Sequence, residues 1–240
     1  ELERGLAGFR RFAAFAVVLM TVAVFQKFIG LTRGAFCTLL AAFGLLLIRP
    51  GDLRQMTCWH VTGLGWSVLS VSAAAYGIEG LVRSFRGRTL LSEAEWEASR
   101  WVSSLMGLVL LVYATFTELP GSGRATGMAV LAVLHMVFAL WRQHKDRAYE
   151  AVALLGFALW ILFALPASWH TRVWHITLHG WSFIGVGVMT FLFEWLVRRP
   201  GSEPFFSTAL RVGLTRLVSF AGLVLACLVL RGELPPSWTA

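Results

Sequence analysis

The sequence predicts an all-α integral membrane protein of eight transmembrane helices, arranged as two tandem four-helix units related by a pseudo-twofold axis along the membrane normal. Hydrophobic residues make up 57% of the 240 residues and charged residues only 14%, a balance unlike that of a soluble domain. The second half of the chain also repeats the first half at a constant offset of 115 residues. Self-similarity at one fixed offset is typical of a duplicated structural unit.

Eight apolar segments have about the length that a helix needs to cross roughly 30 Å of hydrocarbon. They lie near residues 9–29, 34–49, 57–82, 99–117, 125–141, 149–167, 173–197 and 207–230. Four segments fall in each half, so we place the first unit at residues 1–120 and the second at residues 121–240. An even number of crossings returns the chain to its starting side, which gives both units the same orientation.

The two halves are most alike in a nine-residue motif at the start of the third and seventh segments. Its two copies are Trp59-His60-Val61-Thr62-Gly63-Leu64-Gly65-Trp66-Ser67 and Trp174-His175-Ile176-Thr177-Leu178-His179-Gly180-Trp181-Ser182. The Trp residues anchor the helix end in the membrane interface. The repeated glycines permit close helix approach, and Ser67 and Ser182 are expected to bond across a helix pair. We interpret the motif as a packing motif used twice; the alternative is that His60 and His175 share a metal or haem across the pseudo-twofold axis.

Helix signals recur in both halves. Two pairs have the i,i+4 spacing of a helix salt bridge, namely Glu79 with Arg83 and Glu194 with Arg198. We expect both pairs at the boundary of the bilayer. Ser92 followed by Glu95 predicts a capping box at the start of the fourth helix, and Ser207 occupies the equivalent position in the second unit.

Two histidines have no counterpart in the first half, which has Met20 and Leu64 at the corresponding positions. His135 lies about ten residues into the fifth segment and His179 about seven into the seventh, depths of roughly 15 and 10 Å. Facing each other, the two imidazoles would suit one bis-histidine haem b in the second half. Apart from His135 the span centres are almost free of ionisable groups, which disfavours ion-coupled transport.

A second histidine group lies around the repeated motif. His175 and His179 have the i,i+4 spacing at which two imidazoles share a divalent metal, and His170 is close enough in sequence to reach it. Adventitious metal binding is the expectation here, because no Asp or Glu lies close in sequence to orient such a site.

The net charge of +8 is assigned to membrane orientation, not to nucleic-acid binding. The loops after the third, fifth and seventh segments are the basic ones: Arg83, Arg86, Arg88, Arg100, Arg142, Lys145, Arg147, Arg198, Arg199, Arg211 and Arg216. By the positive-inside rule these loops face the cytoplasm or matrix of a bacterial or organelle inner membrane.

The chain has no phosphate-binding glycine loop, nucleophile elbow or zinc-protease helix motif. We therefore expect no enzyme activity of the chain on its own. The prediction is an embedded subunit or anchor of a larger membrane complex, with a respiratory or redox role, whose partners are the lipid bilayer and other membrane subunits or further copies of the chain. The alternatives are a small-solute or ion transporter with a pathway between the two repeats, and a membrane enzyme acting on a lipid or quinone.

Overall fold

A computed structural model describes residues 14–22, 29–48, 57–58, 61–84, 92–119, 121, 123–164, 172–173 and 176–233. The chain divides into two compact units, Glu1–Glu118 and Leu119–Ala240. Their described regular structure is α-helical apart from two pairs of very short strands and one 3-10 turn.

The first unit contains four helical stretches and one strand pair. Residues 14–22 form α1, followed by α2 (Ile29–Ile48), α3 (Gly63–Ser84) and α4 (Glu93–Glu118). Strand β1 (Thr57–Cys58) pairs antiparallel with β2 (Val61–Thr62) directly before α3. The core is apolar and includes Met20, Leu39, Leu64, Val68 and Ile78, all 1% exposed or less.

The second unit contains α5 (Gly123–Arg142), α6 (Lys145–Ala164), α7 (Leu178–Arg198), a 3-10 turn (Pro200–Ser202) and α8 (Thr208–Glu233). Strand β3 (Arg172–Val173) pairs antiparallel with β4 (Ile176–Thr177) directly before α7. Helices α5 and α6 carry small, fully buried side chains, which permit close helix packing: Ala125, Ala129, Ala132, Ala139, Ala148, Ala151 and Ala158.

The bounds of the elements repeat at the offset of the sequence repeat. Helix α7 begins 115 residues after α3, and α8 begins and ends 115 residues after α4. Both strand pairs also correspond at this offset, residue by residue.

The contact between the last two helices of each unit repeats as well. An added Cβ at Gly107 of α4 would lie 2.9 Å from the ring of Tyr76 on α3. An added Cβ at Gly222 of α8 would lie 2.9 Å from the ring of Phe191 on α7. In each unit, therefore, a glycine without a side chain allows an aromatic ring of the neighbouring helix to lie against the helix backbone.

Five described helices are long and apolar enough to cross a membrane: α4, α5, α6, α7 and residues Thr208–Arg231 of α8. Helix α3 is not one of them, although it has 22 residues, because Gly, Ser, Glu79 and Arg83 lower its hydropathy. Parts of the first two predicted segments, residues 9–13, 23–28 and 49, lie outside the described residues. The structure is thus all-helical with five candidate spans.

Both predicted helix starts are confirmed. The Ser92 amide donates to the Glu95 carboxylate at 3.1 Å and the Glu95 amide donates to the Ser92 hydroxyl at 3.3 Å, which together form a capping box. At the start of α8 the Leu210 amide donates to the Ser207 hydroxyl at 3.3 Å.

The predicted i,i+4 ion pairs are also confirmed. Arg83 Nη2 lies 2.7 Å from Glu79 Oε1, and Arg198 contacts Glu194 in the same way. Both carboxylates are buried, so each Arg neutralises an acid that would otherwise be costly in an apolar bundle.

The expectation that Ser67 and Ser182 bond across helices is wrong. Each hydroxyl donates to the carbonyl four residues earlier in its own helix, at 2.8 Å for Gly63 O and 3.1 Å for Leu178 O, as hydroxyls in helices often do. Helices α3 and α4 are instead joined by Ser72, which donates to Gly107 O at 2.9 Å, and by Trp96, whose Nε1 donates to Val82 O at 3.0 Å.

Candidate functional site in the second unit

Of the predicted site histidines, the structure describes His135 and His179. His60, His170 and His175 lie outside the described residues, as do Trp59 and Trp174. The metal prediction for His170, His175 and His179 therefore stays a prediction, as does the pairing of His60 with His175.

His179 is the second residue of α7 and is buried. Its ring lies edge-on against Phe183, with ring centroids 4.7 Å apart. Thr177 caps this helix, since its hydroxyl accepts from the Gly180 amide at 2.9 Å. The helix start predicted near residue 173 is wrong, because residues 172–173 and 176–177 form strands and α7 begins at Leu178.

His135 lies in the second half of α5, seven residues before the end of that helix. Its Nδ1 is 2.9 Å from Leu131 O. A carbonyl oxygen only accepts, so Nδ1 carries the hydrogen in this bond, and Nε2 is the ring nitrogen left to interact with other groups.

Nε2 of His135 faces an ion pair on the neighbouring helix. It lies 3.8 Å from Glu150 Oε2, and the same carboxylate oxygen accepts from Arg147 Nη1 at 2.6 Å. The side chains of these three residues are 9%, 13% and 3% exposed, in the order His135, Glu150, Arg147. We call this group, residues His135, Arg147 and Glu150, the His135 cluster.

The assignment of Arg147 to a loop is wrong, because it lies in α6 and is buried. Sequence reasoning also missed Glu150, and so missed the charges beside His135 that its expectation against ion-coupled transport left out. A usable signal was present, because α5 and α6 form an antiparallel pair joined by a two-residue turn, Gln143 and His144. Residues at similar distances before and after that turn lie side by side. His135 and Glu150 meet this condition.

The structure does not bring His135 and His179 together. Gly185 of α7 lies against Thr126 of α5, and Gly201, just after α7, lies near Leu140 at the end of α5. The two helices therefore run parallel. His135 lies nine residues beyond Thr126, and His179 lies six before Gly185, so a helical rise of about 22 Å separates the two imidazoles. Two histidines that ligate one haem bind the same iron atom from opposite sides. His135 and His179 are therefore too far apart to hold one haem together.

The second unit has polar side chains where the first unit has apolar ones. At the offset of 115 residues, His135, Glu150, His179 and Thr190 correspond to Met20, Ala35, Leu64 and Ala75. All four counterparts are 1% exposed or less. In the first unit these four positions are filled by apolar side chains, so this arrangement of helices does not itself require a polar group at them.

A separate polar contact joins two ends of helices in the first unit. The Thr62 amide donates to Glu118 Oε2 at 2.8 Å, and the Thr62 hydroxyl also contacts this carboxylate. The carboxylate lies against Gly65, where an added Cβ would be 2.5 Å from its carbon. A negative charge at the first turn of α3 is favourable because the amides of that turn point toward it. We interpret the contact as structural, since the sequence repeat continues it in the second unit through Thr177 and Glu233.

Among the described residues no group of three or more His, Cys, Asp and Glu side chains is placed to hold a metal ion. Comparison of the chain with protein-family models, curated proteins and solved structures finds no match.

Proposed function

We propose that the protein is an eight-span inner-membrane protein whose second unit transfers protons within a larger membrane assembly. The two units are homologous four-helix units related by a pseudo-twofold axis along the membrane normal, with the basic loops on the cytoplasmic or matrix side. Support for the homology of the two units comes from the repeated element bounds and from the repeated contact of Tyr76 with Gly107 and of Phe191 with Gly222.

The observation that carries the proposed role is the His135 cluster. An ionisable group within a membrane span is a functional candidate by default, because its burial in hydrocarbon is unfavourable. Here an imidazole with one nitrogen held by Leu131 O presents the other nitrogen to a carboxylate. At 3.8 Å the nitrogen and the carboxylate oxygen are too far apart for a direct hydrogen bond, so a proton passes between Nε2 and Glu150 through one bridging water. Arg147 stabilises the carboxylate after the proton has left.

The buried face of α7 supplies further polar groups along the same unit. His179 lies at its start, and the hydroxyls of Ser182 and Thr190 follow on the same buried face. Protonatable or hydroxyl-bearing side chains thus occur at both ends of the unit and between them. A proton relay needs such groups at intervals, joined by water where the gaps are long.

The test is proton flux into vesicles that contain the purified protein and a pH-sensitive dye, driven by a potassium diffusion potential. We expect flux above that of empty vesicles, and its loss in Glu150→Gln and in His135→Ala. Glu79→Gln is the matched control, because Glu79 is also a buried, Arg-paired carboxylate but lies in the first unit. Wild-type flux equal to that of empty vesicles, or equal loss in the control, would refute the proposed role.

Membrane topology is tested separately with a cysteine-free background. Leu119→Cys and Lys145→Cys lie at opposite ends of α5 and are both exposed in the structure. The proposal requires an impermeant thiol reagent to label them from opposite sides of the membrane. Labelling from one side would contradict it.

The partner subunits, the redox role and a haem bound by His60 and His175 stay predictions from the sequence. They do not enter the proton-transfer argument, which depends only on described residues of the second unit.

A further inference from the structure

One end of the second unit carries exposed aromatic rings, each beside an exposed cation. Helices α5 and α7 end there and α6 begins there. Two contacts connect the two turns at this end: Gly201 lies near Leu140, and the rings of Tyr149 and Phe206 are 5.7 Å apart. The residues of both turns therefore form one surface.

Three cation–aromatic pairs lie on this surface. Arg142 Cζ is 4.5 Å from the ring centroid of Trp141, and Arg199 Cζ is 3.8 Å from that of Trp195. Lys145 Nζ is 5.8 Å from that of Tyr149. We call these six residues the basic-aromatic surface.

The rings are highly exposed although they are large and apolar. Trp141 is 71% exposed, Trp195 52% and Tyr149 45%. They lie at the ends of three candidate spans, where Trp and Tyr rings occupy the headgroup level of a bilayer. A cation held against such a ring is placed at the depth of the lipid phosphates.

The charge at this end favours an anionic ligand. Besides the three cations that lie against aromatic rings, Arg198 is at this end, and its side chain is 63% exposed. Of the acids here, Glu150 and Glu194 are held by Arg147 and Arg198, and Glu203 pairs with Arg211 at 3.2 Å. Even when Asp146 is counted among the carboxylates, the exposed cations outnumber the carboxylates that are not buried by ion pairing. The exposed cations are Arg142, Lys145, Arg198 and Arg199.

We propose that the basic-aromatic surface binds the headgroups of anionic phospholipids in the adjoining leaflet. Arg142, Lys145 and Arg199 bind the lipid phosphates, and the rings of Trp141, Tyr149 and Trp195 contact the glycerol and upper acyl region. A free phosphate ion would use the cations but not the rings, whose exposed apolar faces need an amphipathic ligand.

The opposite end of α5 offers a matched control. Arg124 lies there, but its Nε donates to Leu119 O at 3.1 Å, so this guanidinium caps its own turn. Arg231 lies at the corresponding end of α8. A double variant, Arg124→Gln with Arg231→Gln, removes cationic charge without touching the basic-aromatic surface.

The experiment measures lipid selectivity of the full chain in phosphatidylcholine vesicles. Trace spin-labelled phosphatidylglycerol and phosphatidylcholine report the fraction of each lipid that is motionally restricted by the protein. We expect the phosphatidylglycerol fraction to be the larger. The triple variant Arg142→Gln, Lys145→Gln, Arg199→Gln should lower this selectivity by about twofold or more, and the control double variant should not.

Two further arms identify the source of the anion and the part played by the rings. Inorganic phosphate at concentrations far above that of the labelled lipid should leave the selectivity unchanged, and displacement by it would overturn the lipid assignment. Trp141→Leu with Trp195→Leu keeps every cation and should lower the selectivity by a smaller amount. Equal restriction of the two lipids by the wild type, or undiminished selectivity in the triple variant, would overturn the proposal.

Discussion

Replacing Gly107 by Ala tests the repeated helix contact directly. The new methyl carbon would lie 2.9 Å from two ring carbons of Tyr76, whereas carbon atoms in ordinary contact are about 3.5–4.0 Å apart. The ring or the helix must therefore move by roughly 0.6–1 Å. Ser72, on the same helix as Tyr76, donates to Gly107 O across the same helix contact. A movement of α3 away from α4 therefore also weakens that hydrogen bond.

The expected loss of stability follows from two opposing effects. Forcing an extra methyl group into a packed contact typically costs about 1–3 kcal/mol. Against this, Ala in place of Gly favours the helix by roughly 0.8–1 kcal/mol. We expect a net loss of about 0–2 kcal/mol in the free energy of unfolding relative to the wild type, and a loss of about 1–3 kcal/mol relative to a Gly→Ala change that meets no neighbour.

The control is Gly80→Ala on α3. Gly80 is exposed, and an added Cβ there meets no atom of the described chain within 4 Å. It should show the propensity gain alone. Unfolding by sodium dodecyl sulfate in dodecylmaltoside micelles, followed by circular dichroism, gives both free energies under one condition.

The double variant Tyr76→Ala with Gly107→Ala removes the ring that the new methyl group meets. In that background Gly107→Ala should no longer destabilise the protein, and the coupling energy should be about 1–3 kcal/mol. Gly222→Ala, against Phe191, should lose a similar amount. A Gly107→Ala protein as stable as Gly80→Ala would show that the contact does not limit the packing of α3 on α4.

The remaining polar contacts give three more predictions. Glu118→Ala removes the carboxylate that accepts from the Thr62 amide. We expect the free energy of unfolding to fall by about 1–3 kcal/mol in the same assay. A Glu118→Ala protein as stable as the wild type would refute the stabilising role of this contact. Ser72→Ala removes one cross-helix bond and should lose about 0.6 kcal/mol, the mean for such bonds in membranes; a gain in stability would refute its role. Because about 22 Å of helical rise separates His135 from His179, we expect no Soret band in the purified protein that disappears in both His135→Ala and His179→Ala.

Local features of the fold could be predicted from the sequence because they depend on short spacings. The capping box of Ser92 and Glu95 and the ion pair of Glu79 with Arg83 need only neighbouring helical residues. The sequence repeat allows further features to be predicted, since a feature found in one half indicates its counterpart in the other. Ser207 at the start of α8 is such a case.

Features that depend on where a helix starts, or on which helix lies beside it, could not be predicted in the same way. Hydropathy does not distinguish the strands at residues 172–173 and 176–177 from a first turn of α7, so it predicts the start of this helix about five residues too early. The hydroxyl of Ser67 could donate to a carbonyl of its own helix or to a group on a neighbouring helix. It donates to Gly63 O, because the carbonyl four residues earlier in a helix is always within reach. The His135 cluster required the pairing of α5 with α6, which hydropathy alone does not indicate.

A duplicated chain contains its own control for the His135 cluster. The first unit packs Met20 and Ala35 where the second has His135 and Glu150, and both apolar residues are fully buried. Removing one member of a buried ion pair typically costs about 3–5 kcal/mol, because the remaining charge loses its partner, whereas replacing the whole group by apolar residues is often neutral or stabilising.

We therefore predict opposite effects for two variants of the same site. Glu150→Ala leaves Arg147, whose side chain is 3% exposed, without the carboxylate and should lower the free energy of unfolding by about 3 kcal/mol. The triple variant His135→Met, Arg147→Thr, Glu150→Ala introduces the residues of the first unit and should be about as stable as the wild type. It should nevertheless lose proton flux, which separates function from folding. A triple variant that unfolds readily would mean that the cluster stabilises the second unit, and a triple variant that keeps its flux would mean that protons do not pass through it.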